Sequence, residues 1–184
     1  MMSRTEKLLR WFMFSVLASL VPLALTYFSH RIDRHAVRLE RHYDATPDEI
    51  WAILVEPQHV QNWLAQMEIE PHVGGRITFD WNGDNQDEGV VRAFEPPRLF
   101  EYTWTRNGES VIRFELRPDG DGTLLTLDHS RTSLEQAVQV GAGWHSHLDA
   151  IEALLAGSPT TRDAWTARYE ELRPAYDEQA ARLA

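Results

Sequence analysis

Residues 143–157 read GWHSHLDAIEALLAG, and whether that stretch is a ligand cluster or the flank of a helix decides the fold. On a strand, two histidines two residues apart would point the same way. On a helix they diverge by about 200°, and here the periodicity is helical. Leu134, Ala137, Gly141, Trp144, Leu148, Ile151 and Leu155 recur at steps of three and four, a single apolar stripe. The spacing predicts one helix over 134–155, with Gly157 as its C-terminal stop. His145 and His147 then flank the stripe and cannot both ligate one metal, and no second cluster of ligand spacing accompanies them. His145 and Asp149, four apart, can form a surface ion pair.

A stripe of that length needs an apolar face to cover, and the preceding hundred or so residues provide one. AVRLERHY alternates, with Val37, Leu39 and Tyr43 on one side, and reads as a strand. ATPDEIW opens a short helix with Thr46 as N-cap, Pro47 at the first position and Glu49 completing a capping box. EPQHVQNWL adds another turn or two. The strands that follow align Ile77, Phe79 and Trp81, then Phe100, Tyr102 and Trp104, then Ile112, Phe114 and Leu116, then Leu125, Leu127 and His129. Their connections are short, and Asn107-Gly108 is a hairpin signal because both central positions of that turn need positive φ. Short links between alternating strands predict an antiparallel sheet with one solvated face. The tail SPTTRDAWTARYEELRPAYDEQAARLA starts a further helix with Trp165, Tyr169 and Leu172 inward, broken or kinked at Pro174. The fold class is α+β, a curved antiparallel sheet wrapped around a long helix.

Composition narrows the function. With 28 acids against 18 bases and a net charge of −10, the surface repels phosphate backbones and argues against nucleic-acid binding. The absence of cysteine removes disulfides, thiolate nucleophiles and Cys-ligated zinc. It also suits a reducing compartment. Residues 1–30 differ from the rest. The run WFMFSVLASLVPLALTYF, residues 11–28, carries no charge and follows Arg4, Lys7 and Arg10. Three readings compete: a single-pass anchor, a signal peptide, and an extra helix or extension outside the functional domain. The anchor is favoured over the signal peptide because no clean A-x-A site follows the run. Basic residues on both sides leave the orientation open. The expected organisation is a head over 1–30, a domain over 31–157 and a helical tail over 158–184.

In that order, DATPDEIWAILVEPQHVQNW, VGGRITFDW, GVVRAFEPPRLFEYTW, RFELRPDGDGTLLTLDHS and GWHSHLDAIEALLAG resemble the START-like (SRPBCC) superfamily with its helix-grip fold. Within it the chain is similar to the AHSA-type branch, named after the activator of the heat-shock-protein ATPase. The resemblance covers roughly residues 34–157. It implies a deep apolar cavity between sheet and long helix, used by members for lipids, hydrophobic metabolites or partner proteins, and by some relatives for cyclisation or dehydration. A shared fold does not fix the activity.

On that basis Trp63, Phe79, Trp81, Tyr102, Trp104, Phe114, Leu127 and Trp144 are expected to line a ligand cavity, with His129 as its polar contact. For each, simple core packing is the competing reading. Other motifs fail: Gly74-Gly75 precedes a strand, no serine sits in a G-x-S-x-G elbow, and PDGDGT lacks the downstream Glu of a calcium loop. The expected function is binding of a hydrophobic small molecule or lipid, with no cofactor, metal or catalytic residue assigned. The alternatives are a cyclase or dehydratase moving protons through His129 or Tyr102, and a co-chaperone-like module with a chaperone or other protein partner. The expected location is cytoplasmic, tethered to the membrane if residues 11–28 form an anchor.

Overall fold

The computed structural model describes residues 27–31, 34–81, 83, 86–105 and 109–182. Eight strands form one antiparallel sheet: β1 (Tyr27–Arg31), β2 (Arg34–Tyr43), β3 (Gln66–Ile69), β4 (Arg76–Asp80), β5 (Gln86–Glu95), β6 (Leu99–Trp104), β7 (Ser110–Asp119) and β8 (Gly122–Thr132). The order across the sheet is β1-β2-β8-β7-β6-β5-β4-β3. Strands β3 to β8 therefore run as a meander that returns to β2. Two short helices, α1 (Pro47–Val55) and α2 (Pro57–Val60), carry the chain from one side of the sheet to the other edge. The long helix α3 (Leu134–Leu155) crosses the concave face, and α4 (Arg162–Ala181) lies against α3.

Local chemistry accounts for each boundary. Thr46 Oγ1 accepts from the Glu49 N–H at 3.3 Å while Glu49 Oε2 accepts from the Thr46 N–H at 2.8 Å, the expected capping box. Ser133 and Gln136 repeat the device at the start of α3. Gly157 follows α3 at φ 73°, the left-handed conformation that ends a helix most cheaply at glycine. Of the break or kink expected at Pro174, the break does not occur: α4 continues through it. The ring sits on the exposed side, so the helix loses one N–H rung there without breaking. Strands β6 and β7 pair down to Trp104 opposite Ser110, as a hairpin requires, while the Asn107-Gly108 tip lies outside the described residues.

The apolar head expected over residues 11–28 lies outside the described residues up to residue 26. Tyr27 and Phe28 are not in a helix: they begin β1, which pairs with Arg38 and Val37 of β2. The boundary drawn after residue 30 thus falls inside a strand. Among the described residues no helix is long and apolar enough to cross a membrane.

The core is the space between the concave face and α3. Leu39, Ile77, Phe100, Tyr102, Ile112, Phe114, Leu125 and Leu127 meet Leu148 and Ile151 there, all essentially inaccessible to water. The opposite face carries charge pairs, including a bidentate Arg38–Asp128 contact at 2.8 and 2.9 Å. Three polar ties fasten α3 to the sheet. The Trp144 indole N–H donates to His129 Nδ1 at 2.9 Å, the Tyr43 hydroxyl donates to the Leu148 carbonyl at 2.9 Å, and Arg41 reaches Asp149 at 3.5 Å. Asp149 also accepts from Arg168 of α4 at 2.8 Å, so one carboxylate joins β2, α3 and α4. Tyr176 of α4 packs where α3 has Gly141, and a Cβ at that position would lie 2.6 Å from its ring.

Two predictions follow from this packing. Gly141→Ala forces the Tyr176 ring off α3, and should lower stability in urea by about 1–3 kcal/mol, with faster proteolysis of the α3–α4 link. The second concerns pH. Burial pushes the His129 pKa down from 6.5 to about 3, so its contribution to stability is complete above 6.5 and drains away as pH falls towards 3. His129→Leu leaves the Trp144 N–H without an acceptor and should cost about 1–3 kcal/mol at pH 7. By pH 4.5 that deficit should shrink by roughly 2–3 kcal/mol, because only the wild type bears the cost of a histidine held neutral. Urea titrations of both proteins at the two pH values measure it.

Candidate functional site

The interior between sheet and α3 is filled by side chains, and open space occurs at its end. A cleft of about 700 Å³ is walled by the segment after α2, the end of β4, the end of β6, one side of α3 and the first turns of α4. Each wall delivers a tryptophan. Trp63 follows α2, Trp81 continues the inward parity of Ile77 and Phe79, and Trp104 ends the inward row of β6. Trp144 comes from α3 and Trp165 from α4.

Helix α3 presents two adjacent faces. Ala137, Trp144, Leu148 and Ile151 face the sheet, whereas Val140, Gly143, His147 and Ala150 form a second row along the cleft. His147 sits at the centre of the aromatic wall. Trp81, Trp104, Trp144 and His147 close a ring of neighbours with centroid separations of 6.0, 5.6, 5.8 and 6.4 Å in turn. Trp63 flanks His147 at 6.2 Å and Trp165 at 4.9 Å, and Trp165 stacks on Tyr169 at 5.6 Å.

Hydrogen bonds fix the histidine tautomers. His147 Nδ1 lies 2.6 Å from the Trp63 carbonyl oxygen, which can only accept, so Nδ1 carries the proton. Nε2 is then a bare acceptor with no partner among the described residues. Burial pushes the His147 pKa down to about 4, against the small upward pull of that carbonyl. At neutral pH it is an uncharged acceptor. His129 is the converse: its Nδ1 accepts from Trp144, so its proton is on Nε2. His145 faces α4, 3.0 Å from the Tyr176 hydroxyl and 3.8 Å from Asp149. Burial, helped by the Arg41 charge and opposed by Asp149, lowers its pKa to about 4.

Of the nine residues expected to bind ligand, Trp63, Trp81, Trp104 and Trp144 line the cleft. Phe79, Tyr102, Phe114, Leu127 and His129 do not; they form the packed layer behind it, each at most 2% exposed. His129 is stacked behind Trp104 at 5.7 Å and held by Trp144, so it supports the wall and does not face the opening. Tyr102, the other residue considered for moving protons, is buried with its pKa driven up by desolvation. The sequence reading missed His147, Val140, Trp165 and Tyr169. A second three-and-four row, Val140, Gly143, His147, Ala150, was the available signal. Trp165 and Tyr169 were legible as an inner helical face, but not as part of this site. Among the described residues no group of three or more His, Asp or Glu side chains is placed to hold a metal.

A family model described as activator of Hsp90 ATPase homolog 1-like protein matches residues 44–156. No curated protein matches the chain. Among solved structures, CalU16 from Micromonospora echinospora is similar at TM-score 0.69 and 25% identity, over 80% of this chain and 89% of that one. DynU16, from the dynemicin biosynthetic locus, is similar at TM-score 0.63 and 23% identity, over 70% of this chain and 49% of that one. The Aha1 dimer from Colwellia psychrerythraea gives TM-score 0.57 and 18% identity, over 64% and 93%. The family match runs from just before the α1 cap to the end of α3 and so takes in the helix and most of the sheet that define the fold: the chain belongs to the Hsp90 ATPase activator homolog 1-like family, with the helix-grip fold of the START-like superfamily.

Proposed function

We propose that this protein binds a small, largely apolar molecule in the tryptophan-walled cleft. One observation carries the reading: five indoles from five separate segments converge on an opening of about 700 Å³ in a domain whose interior is otherwise packed. That volume suits a small organic ligand. At roughly 25 cal/mol per Å² of apolar surface removed from water, a bicyclic ligand burying about 200 Å² gains about 5 kcal/mol before ordering costs. The family and the likeness to DynU16, whose locus is biosynthetic, are in keeping with a small-molecule role. Relative to the cavity expected between sheet and helix, the proposed site is displaced to the end of that space. It is bounded by α4 and the residues after α2.

Gly143 provides a clean test. It lies on the cleft wall, and a Cβ there meets nothing within 4 Å. Gly143→Trp should project into the cleft and leave the fold intact, and replacing a mid-helix glycine should not lower helix stability. Titration with the neutral naphthalene dye 6-propionyl-2-(dimethylamino)naphthalene should give blue-shifted, saturable emission with the native chain. Gly143→Trp should weaken it tenfold or more at unchanged urea midpoint. Equal binding by both proteins would remove the cleft as the site.

A further inference from the structure

Pro174 divides α4 into halves that are held differently. The two buried residues of the helix, Tyr176 and Ala180, both lie beyond it. Tyr176 fills the notch at Gly141 with its hydroxyl 3.0 Å from His145 Nδ1, and Ala180 packs with Val138 and Ala142. Before the proline, no side chain over residues 162–173 is buried. Every α4 residue that walls the cleft, Arg162, Trp165 and Tyr169, belongs to this earlier half. Its ties are slight. Arg168 meets Asp149 at 2.8 Å with both side chains part-exposed, and Trp165 rests on the His147 ring at 4.9 Å. Tyr169 and Leu172 lean on the edge of the anchoring cluster. Docking also has a cost, because the Trp165 indole N–H loses water there and gains no acceptor. Both ends of this half can give. Gly157, at φ 73°, opens a largely exposed link, and Pro174 has no N–H for the Glu170 carbonyl, which is where helices bend.

Resting on the reading of the cleft as a ligand site, we infer that residues 162–173 are its lid. This helical flap rocks about Pro174 and the Gly157 link, is latched by Arg168 on Asp149, and lifts Trp165 off His147 to admit the ligand. Lifting gives up the latch and the ring contact. In exchange it rehydrates the Trp165 N–H, and it leaves the anchor at Tyr176 and Ala180 undisturbed. Gains and losses of the movement therefore oppose each other. A ligand seated in the cleft lies against Trp165 and Tyr169 only when the flap is down. It binds the closed form better for that reason, and shifts the balance towards it. The flap shuts over its occupant and, because the anchor holds, reopens without undocking the whole helix.

The chain has no cysteine, so introduced thiol pairs can carry nitroxide labels. Exposed positions serve: Gln58→Cys on α2, Ala167→Cys on the lid and Glu178→Cys on the anchor. Pulsed electron resonance on the full chain should give two distances between positions 58 and 167, and one between 58 and 178. Arg168→Ala, which removes the latch, should raise the longer 58–167 population about twofold to fivefold, the worth of a part-exposed ion pair. Pro174→Ala, which restores the missing rung, should lower it. The naphthalene dye should drive the pair to its shorter distance. A single 58–167 distance in both the native background and Arg168→Ala, or in the first alone should Arg168→Ala fail to fold, would overturn the inference. A second 58–178 distance that tracks the one at 58–167 would overturn it too, since the whole helix would then be undocking. Dye that binds, by its emission, yet leaves both distances populated as before has the same consequence. No dye binding at all removes the ligand site itself, and the lid with it, whatever the distances show.

Discussion

The hydrogen bond from the Trp144 indole to His129 is the contact on which the arrangement turns. It joins the middle of α3 to the centre of β8, inside a layer where neither residue is more than 2% exposed. In that setting it does three things. It gives the only polar atom of Trp144 a partner, and so permits a large ring to be buried deeply. It fixes the rotation of α3 about its axis, since a turn of the helix by one residue would swing the indole about 100° away. It also assigns the His129 tautomer, so that the stacked Trp104 lies over a neutral ring. Once the rotation of α3 is set, the row containing Val140, Gly143 and His147 must face sideways, and the cleft has its inner wall.

The fold was legible because its signals are periodic and local. Parity on each strand placed Phe100, Tyr102 and Trp104 on one face, and the structure has all three buried. Capping chemistry placed the start of α1, and the three-and-four apolar spacing that of α3, within a residue. The site was legible only in part, because membership depends on lateral position, which periodicity does not encode. Phe79 and Trp81 have the same parity on the same rim of the sheet, yet Phe79 is core and Trp81 is cleft wall. The difference is that Trp81 lies one residue beyond the end of β4, where the sheet gives way to the cleft. His147 was hidden for a related reason. Beside Trp144 it looks like a residue at the edge of a stripe, and only the docking of α4 turns that edge into an interior.

Helix α4 is therefore as much a part of the site as the sheet is, although the family match stops at residue 156. Its placement rests on Tyr176 in the notch at Gly141, the cluster of Val138, Ala142, Tyr176 and Ala180, the His145–Tyr176 contact and the Arg168–Asp149 pair. These lie along one side of an antiparallel helix pair. Trp165 is left at the opposite end, against His147, where the link through residues 156–161 brings α4 in.

Most polar atoms of the two aromatic layers are matched: Tyr43 with the Leu148 carbonyl, Thr123 with the Ala45 carbonyl at 2.7 Å and, on the cleft wall, the indoles of Trp63, Trp81 and Trp144 with the Ile53 carbonyl, Asp87 and His129. In the layer that lines the cleft, donors on Trp104 and Trp165 and an acceptor on His147 are left over. A chain selected for stability alone would gain by exchanging either tryptophan for phenylalanine, which fills similar space without a group to satisfy. Sites where local rules of polar matching are broken inside an otherwise consistent fold are where function is expected to reside. Among the described residues the buried donors without an acceptor are the indoles of Trp104 and Trp165 and the His129 ring stacked on Trp104.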